Sequence, residues 1–262
     1  MTDSSLLRLY RHRELAWEMS VREAQAVYKG SIFGIAWLAF KPLLQTAVPI
    51  VLISTTWHHA GGAPLNQLKL AAYMLAGMIP WQILSRGLEE STQLVRDRTN
   101  LVKQIQFPLE TLPLMSFLTS MIGAAVSLTV WIILAVILNQ FSWTCLLLPI
   151  PLVLLEILII GLSWGLMMVG VLLKDIRNVV SLGLFLCGYL SPVILSEKLV
   201  SERVWFTILL NPLSHVVIAF RDVLYGDWHP ESWLIFVVTA LFSWWIGSGI
   251  LRRNRLWIND LI

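Results

Sequence analysis

Residues 145–173 read CLLLPIPLVLLEILIIGLSWGLMMVGVLL, an apolar run broken by a single charge, Glu156. A hydrocarbon core of about 30 Å needs about 20 apolar residues in a helix, so this stretch is long enough to cross a bilayer. Five further runs lie on either side of it, at 32–57, 68–88, 109–138, 179–195 and 233–251. The chain as a whole is 57% hydrophobic and only 13% charged, whereas soluble chains carry about 25% charged residues. The expected fold class is an all-α integral membrane protein with six transmembrane helices.

Lys and Arg accumulate in cytoplasmic connections, and here the bias is strong. With the N-terminus inside, Arg8, Arg11, Arg13, Arg22, Lys29 and Lys41 fall at or near the inner face. Arg86, Arg96, Arg98 and Lys103 join them from the second connection, Lys174 and Arg177 from the fourth, and Arg252, Arg253 and Arg255 from the tail. Only Lys69, Lys198, Arg203 and Arg221 fall outside. Both termini are therefore expected in the cytoplasm.

Residues 204–224 are apolar enough to suggest a seventh span. They contain Asn211, Pro212, Ser214, His215, Arg221 and Asp222, a poor set for a helix facing lipid. A seventh span would also carry the Arg252, Arg253, Arg255 cluster outside. Residues 196–229 are therefore read as short re-entrant helices between spans five and six. Irregular backbone at that depth must lie against protein or a wet cavity.

Residues 1–30 are read as an amphipathic interfacial helix. Tyr10, Trp17, Val21, Ala24 and Tyr28 form an apolar stripe with Arg11, Arg13, Glu18, Arg22 and Glu23 off it, although Glu14 interrupts it. Such a helix lies in the headgroup plane, either as a simple anchor or as the wall of a lateral entrance for an anionic amphiphile. The charged first 28 residues do not resemble a cleavable signal peptide. Cys145 and Cys187 sit in apolar surroundings and read as two buried thiols. The net charge of +3 reflects loop bias and points to no nucleic acid. Without a repeat or soluble insertion, residues 1–262 form one membrane domain.

From Tyr28 onward a family resemblance emerges. Tyr28-Lys29-Gly30-Ser31, Gly34, Trp37 and Pro42 open it, and Tyr73-Met74-Leu75-Ala76-Gly77-Met78-Ile79-Pro80-Trp81 continues it. Asn100-Leu101-Val102-Lys103, Phe107-Pro108, Leu112-Pro113-Leu114, Tyr189-Leu190-Ser191-Pro192-Val193 and Asn211-Pro212-Leu213 follow in order. Together they resemble the permease subunits of type-2 ABC exporters for polysaccharide. Two departures stand out: Val27 where an Arg often precedes the Tyr, and Phe33 where Leu is usual.

The resemblance implies a homodimer of six-span subunits bound to two cytoplasmic ABC ATPase subunits. Its cargo would be a lipid-linked glycan such as polyprenyl-diphosphate-linked O-antigen, a capsule polymer or teichoic acid, and its location the bacterial inner membrane among membrane lipids. The residues agree in one respect. No Gly-x-x-x-x-Gly-Lys-Ser/Thr stretch is present, so the usual phosphate-cradling loop must come from another chain. No cofactor is expected here; ATP and Mg belong to the partner ATPase.

The resemblance places a coupling helix at residues 89–107. That segment has an incomplete apolar stripe, Leu94, Leu101 and Ile105, flanked by Arg96, Asp97, Arg98 and Lys103, with Asn100 and Pro108 as end signals. A short helix seated in a groove can transmit rigid-body motion; the alternative is a solvated loop whose charges set topology.

Lys41, ten residues into the first run, either snorkels to the headgroups, lines a pathway or pairs with a lipid diphosphate. Glu156 is expected to be protonated or paired across the bundle. His58 and His59 are adjacent rather than one helical turn apart, and His215 stands alone, so no metal site is expected. No catalytic constellation is visible either.

Thirteen Trp exceed what interfacial belts require. Trp57, Trp143, Trp228 and Trp233 suit an outer belt and Trp17 and Trp257 an inner one, and Trp37, Trp81, Trp131 and Trp164 are among those that lie within apolar runs. Phe33, Trp37 and Phe40 share one helix face by spacing. With Trp81 and Lys41 they are the expected substrate-pathway residues, since aromatic faces stack on sugars without fixed register. Helix packing is the alternative for each ring. Two rival functions remain open at this level: export of small lipids or drugs, and a membrane glycolipid enzyme or scaffold acting without ATP.

Overall fold

The computed structural model describes residues 17–22, 66–97, 112–194, 197 and 200–261, with separate positions between 33 and 55, and side chains in the last helix as far as Arg253. Helix is the regular structure of the described residues, with no strand among them. The elements are α1 (Gln67–Ser91), α2 (Leu94–Asp97), α3 (Leu112–Ile137), a 3-10 turn (Trp143–Leu147), α4 (Pro149–Leu172), α5 (Ile176–Tyr189), α6 (Glu202–Leu209), α7 (Pro212–Tyr225) and α8 (Pro230–Leu261).

Local chemistry explains the boundaries. Asn66 caps α1, its side chain accepting from the main-chain N–H of Leu68 and Lys69. Proline, whose missing N–H costs nothing in a first turn, opens α4, α7 and α8. Asn211 caps α7, and Gly226, at φ 83°, closes it in the left-handed conformation that glycine adopts freely.

Among the described residues three helices are long and apolar enough to cross a membrane, Leu112–Ile137, Pro149–Leu172 and Pro230–Arg253, or four if the bent pair Glu202–Leu209 and Pro212–Tyr225 is one span. The protein is a multi-pass membrane protein. α1 has the length, at 25 residues, but carries Gln82, Arg86, Glu89 and Glu90 toward its end. The run at 179–195, read from sequence as span five, is helical only over Ile176–Tyr189. Those 14 residues reach about 21 Å at 1.5 Å per residue, short of the roughly 30 Å core. The helix stops because Pro192 cannot continue it and Ser191 turns its hydroxyl back to the Gly188 carbonyl at 2.8 Å.

The core lies where α1, α3, α4 and α8 meet. The main chains of α4 and α8 touch: a Cβ on Gly161 would fall on Ser243 and Trp244, and one on Gly247 would fall on the Gly161 carbonyl. Small residues permit this closeness, which is how helices associate where lipid removes a hydrophobic drive. Contacts also fix relative directions. Gly87 faces Ile159 and Ser91 Oγ lies 2.5 Å from Ser163 Oγ, so α1 and α4 run the same way. Gly161 meets Ser243 while Gly165 meets Ile250, so α8 runs with them. α3 opposes α1, Ser127 donating to Gln82 at 2.9 Å, and α5 opposes it too, with Arg177 on Gln93 at one end and Gly188 against Trp81 at the other. α1, α4 and α8 thus run one way and α3 and α5 the other.

α6 and α7 are bent by 99°. They form a hairpin at the end of the bundle where α5 stops, rather than a straight span.

Candidate functional site

Two polar regions stand at opposite ends of the bundle. The first is built around Arg221 and Asp222 of α7, both buried. The Arg221 guanidinium stacks on the Tyr73 ring of α1, Cζ 3.6 Å from its centroid. It donates from Nη1 to the Pro192 carbonyl and from Nη2 to the carbonyls of Val193 at 3.0 Å and Tyr73 at 3.1 Å. Gly77 leaves room for it, since a Cβ there would stand 2.6 Å from Nη2. Nε, also buried, has no hydrogen-bond partner among the described residues. A desolvated cation held by carbonyl dipoles and a ring instead of a carboxylate needs its geometry kept intact.

Asp222 points the other way. Its carboxylate accepts from the His229 main-chain N–H at 2.9 Å and from Trp233 Nε1 at 3.0 Å, with His229 Nδ1 2.6 Å from the other oxygen. Further bonds secure the hairpin. Asn211 Nδ2 donates to the Leu190 carbonyl at 3.3 Å, Ser214 to Ile208 at 2.6 Å, and His215 sits between Ser232 Oγ and the Leu209 carbonyl, each at 3.0 Å. Thr144 of the 3-10 turn donates to the Val223 carbonyl at 2.7 Å. The polar residues that argued against a seventh span are the ones that dock this segment.

At the opposite end, α2 folds back on the bundle. Leu94 and Val95 are buried, Arg96 donates to the Val171 carbonyl at 3.2 Å near the end of α4, and a Cβ on Gly170 would fall on the Thr92 carbonyl. Residues 17–22 are helical and reach the same end, Ser20 donating to the Met115 carbonyl at 3.1 Å. Of the expected coupling residues, Arg96 and Asp97 are in α2. Arg98, Asn100 and Lys103 lie outside the described residues, as do Lys41, His58, His59 and most of residues 1–30.

Phe33, Trp37 and Phe40 lie side by side. Phe33 meets Trp37 edge-on at 5.6 Å and Phe40 at 5.8 Å, and all three rings are exposed on the chain's surface. Trp81 is half-buried against Gly188. Trp131 and Trp164, considered with them from sequence, are packing residues. Both are fully buried, Trp131 against Tyr225 at 5.8 Å and Trp164 against Trp244 at 4.7 Å. Glu156 is half-buried in the first half of α4. Among the described residues no three His, Cys, Asp or Glu side chains group as a metal site requires.

Residues 14–225 match the ABC-2 type transporter family. The chain belongs to that family. The match runs to the last residue of α7, so it includes Arg221, Asp222 and α2, while His229 and Trp233 lie beyond it. Among relatives, an O-antigen export system permease protein RfbA of Myxococcus xanthus is 23% identical over 252 residues, covering 94% of this chain and 95% of its own length. Two proteins of the same name from Klebsiella pneumoniae are 22% identical over 242 residues and 20% over 240, each covering 89% of both chains.

Within this family member, three motifs far apart in sequence converge on one side chain. Tyr73 and Gly77, Pro192 and Val193, and the α7 helix opened by Asn211-Pro212-Leu213 all meet at Arg221. From sequence, Arg221 counts as one of four outside cations and, with Asp222, as part of the polar set that argues against a seventh span, without its partners. The available signal was an Arg-Asp pair inside an apolar stretch, which is costly unless both partners are satisfied.

Proposed function

We propose that this chain is the permease subunit of an ATP-driven exporter that moves a lipid-linked polysaccharide, in first place polyprenyl-diphosphate-linked O-antigen, out across the bacterial inner membrane. The observation that carries this is similarity along about nine-tenths of the chain to proteins named O-antigen export permeases. Residues 1–262 act as one transmembrane permease domain, multi-pass, with both termini cytoplasmic. A second copy completes a homodimer, and a separate ABC ATPase binds ATP and Mg. The absence of a Gly-rich nucleotide loop with its Lys supports that division.

On this reading the end bearing α2, Arg177 and Arg252 faces the cytoplasm, and the hairpin α6–α7 faces outward. α2 is the start of the coupling segment at 89–107, with Arg96, Asp97, Arg98, Asn100 and Lys103 meeting the ATPase. Phe33, Trp37, Phe40, Lys41 and Trp81 line the substrate path. The test is reconstitution: inverted vesicles holding this chain and its ATPase are loaded with polyprenyl-diphosphate-linked glycan at the exposed face. ATP-dependent protection of the glycan inside the vesicle is expected. Uptake of small lipid dyes without glycan, or glycan handling without ATP, would overturn the assignment.

A further inference from the structure

We infer that Arg221 and Asp222 form a two-sided clamp that holds the α6–α7 hairpin shut over the end of α5, and that the clamp is released during each transport cycle. The proposal rests on the exporter reading above and names residues that position its outward mouth.

The two neighbours pull on different elements. Arg221 binds α1 through Tyr73 and the turn after α5 through Pro192 and Val193. Asp222 binds the segment leading into α8 through His229 and Trp233. α5 is shorter than the roughly 30 Å core, and the hairpin, bent by 99°, meets its end, Asn211 donating to the Leu190 carbonyl. A shift of α5 or α1 is therefore felt first at Arg221, and a shift of α8 at Asp222.

The Arg221 side is built for release. Its contacts are main-chain carbonyls and one ring, none a carboxylate, and Nε is buried without a partner among the described residues. When the mouth opens to water, water takes over from the carbonyl ligands and solvates Nε as well, which offsets part of the cost of parting them. An ion pair in the same place would resist opening more strongly. Asp222, by contrast, accepts three hydrogen bonds from one short stretch, residues 229–233, so that stretch and α7 move as a unit. The expected hinge is thus on the α1–α5 side, with α7 and the start of α8 moving together.

A native reporter lies beside the clamp. Cys145 Sγ is half-buried with its thiol 3.6 Å from the Leu224 carbonyl, so lifting α7 uncovers it. The experiment uses spheroplasts carrying the complete exporter, with Cys187→Ser in the permease and the ATPase either active or blocked in hydrolysis. Cys145 is labelled with a membrane-impermeant maleimide, and glycan export is measured in the same cells. The wild-type chain is expected to label several-fold faster with the active ATPase than with the blocked one. Arg221→Gln should label fast in both states and export poorly at normal membrane abundance, with Arg221→Lys between them. Gly77→Ala, which crowds the guanidinium while keeping its charge, should shift labelling in the same direction and decides the matter if Arg221 variants do not accumulate. Labelling of Gly77→Ala and Arg221→Gln as slow as wild type with the blocked ATPase, or wild-type labelling indifferent to hydrolysis, would overturn the clamp. Wild-type cells that export no glycan would remove the exporter reading instead, while the comparison of variants at the blocked ATPase still tests the clamp.

Discussion

Gly247 of α8 meets Gly161 of α4 main chain to main chain: a Cβ on Gly247 would fall on the Gly161 carbonyl, and one on Gly161 would fall on the backbone of Ser243 and Trp244, one turn earlier in α8. Two helices that cross this closely cannot yield to an added Cβ as a flexible side chain would. Overpacking usually costs about 1–3 kcal/mol, and with backbone as the obstacle Gly161→Leu and Gly247→Leu are expected at or above the top of that range. Gly249, on the same helix with nothing within 4 Å of its added Cβ, serves as the control. Thermal melting in detergent should fall sharply for the first two variants and stay unchanged for Gly249→Ala.

Trp164 and Trp37 separate packing from transport. Trp164 is fully buried against Trp244, and truncating such a ring costs about 3–5 kcal/mol. Trp164→Ala should lower the melting temperature and the yield of purified protein, with transport per folded molecule less affected. If Trp164→Ala melts like the wild-type chain, the α4–α8 contact does not depend on this ring.

The relative directions of the helices were legible because charge is excluded from the membrane interior and sorted by side. Arg86, Arg96, Arg177 and Arg252 needed only to be counted to place the ends of their helices together. Helix boundaries at Asn66, Pro149, Asn211 and Gly226 were equally local, since each depends on one residue's backbone or side chain. The length of α5 was not legible from its apolar run, because hydropathy at 190–195 is satisfied equally by a helix or by a turn packed under a hairpin. The Arg221 junction was hidden for a different reason: its ligands are carbonyls, which carry no sequence signature, and they come from positions 73, 192 and 193. Among the candidate residues, the shared face of Phe33, Trp37 and Phe40 followed from helical spacing. The burial of Trp131 and Trp164 depended on which neighbours face them, and one chain's periodicity does not say.

Arg96 is held within the chain, which changes what its substitution reads. Its guanidinium donates to the Val171 carbonyl, a bond worth about 1.5–3 kcal/mol for a charged donor. Arg96→Glu should lower both thermal stability and ATPase co-purification. Arg98→Glu and Lys103→Glu should weaken co-purification while the permease alone melts normally. Full ATPase recovery in the Arg98→Glu, Lys103→Glu double variant would show that the segment is a solvated connection.

The orientation of the two ends is open to direct chemistry. In a background without native cysteines, Cys introduced at Ser201 or Asp227 should react with an impermeant maleimide added to intact spheroplasts. Cys introduced at Thr99 or Asp260 should react only after the membrane is opened. Labelling of the Asp260 position from outside, with Thr99 protected, would place the tail on the wrong side and reverse α8.

The aromatic face carries the substrate-path proposal. Phe33, Trp37 and Phe40 form one contiguous group of rings on the surface of the single chain, at 5.6 and 5.8 Å. Sugar C–H groups stack on such faces with little directional demand, so a polymer can advance without breaking a fixed hydrogen-bond register at each residue. The same rings in contact with lipid or with a second copy would be indifferent to the cargo. Trp37→Ala should therefore slow glycan export several-fold while leaving homodimer assembly, ATPase recovery and basal ATP hydrolysis near wild type. Trp37→Phe, which keeps an aromatic face, should recover most of the rate, whereas Trp37→Leu, which keeps bulk and apolarity alone, should not. Equal export by the Leu and Phe variants would mean that only volume matters at this position, and the rings would then be packing or lipid contacts. Trp81, half-buried against Gly188, supplies the internal comparison. Its Ala variant is expected to lose stability as well as export, because its ring is already committed to the contact between α1 and α5.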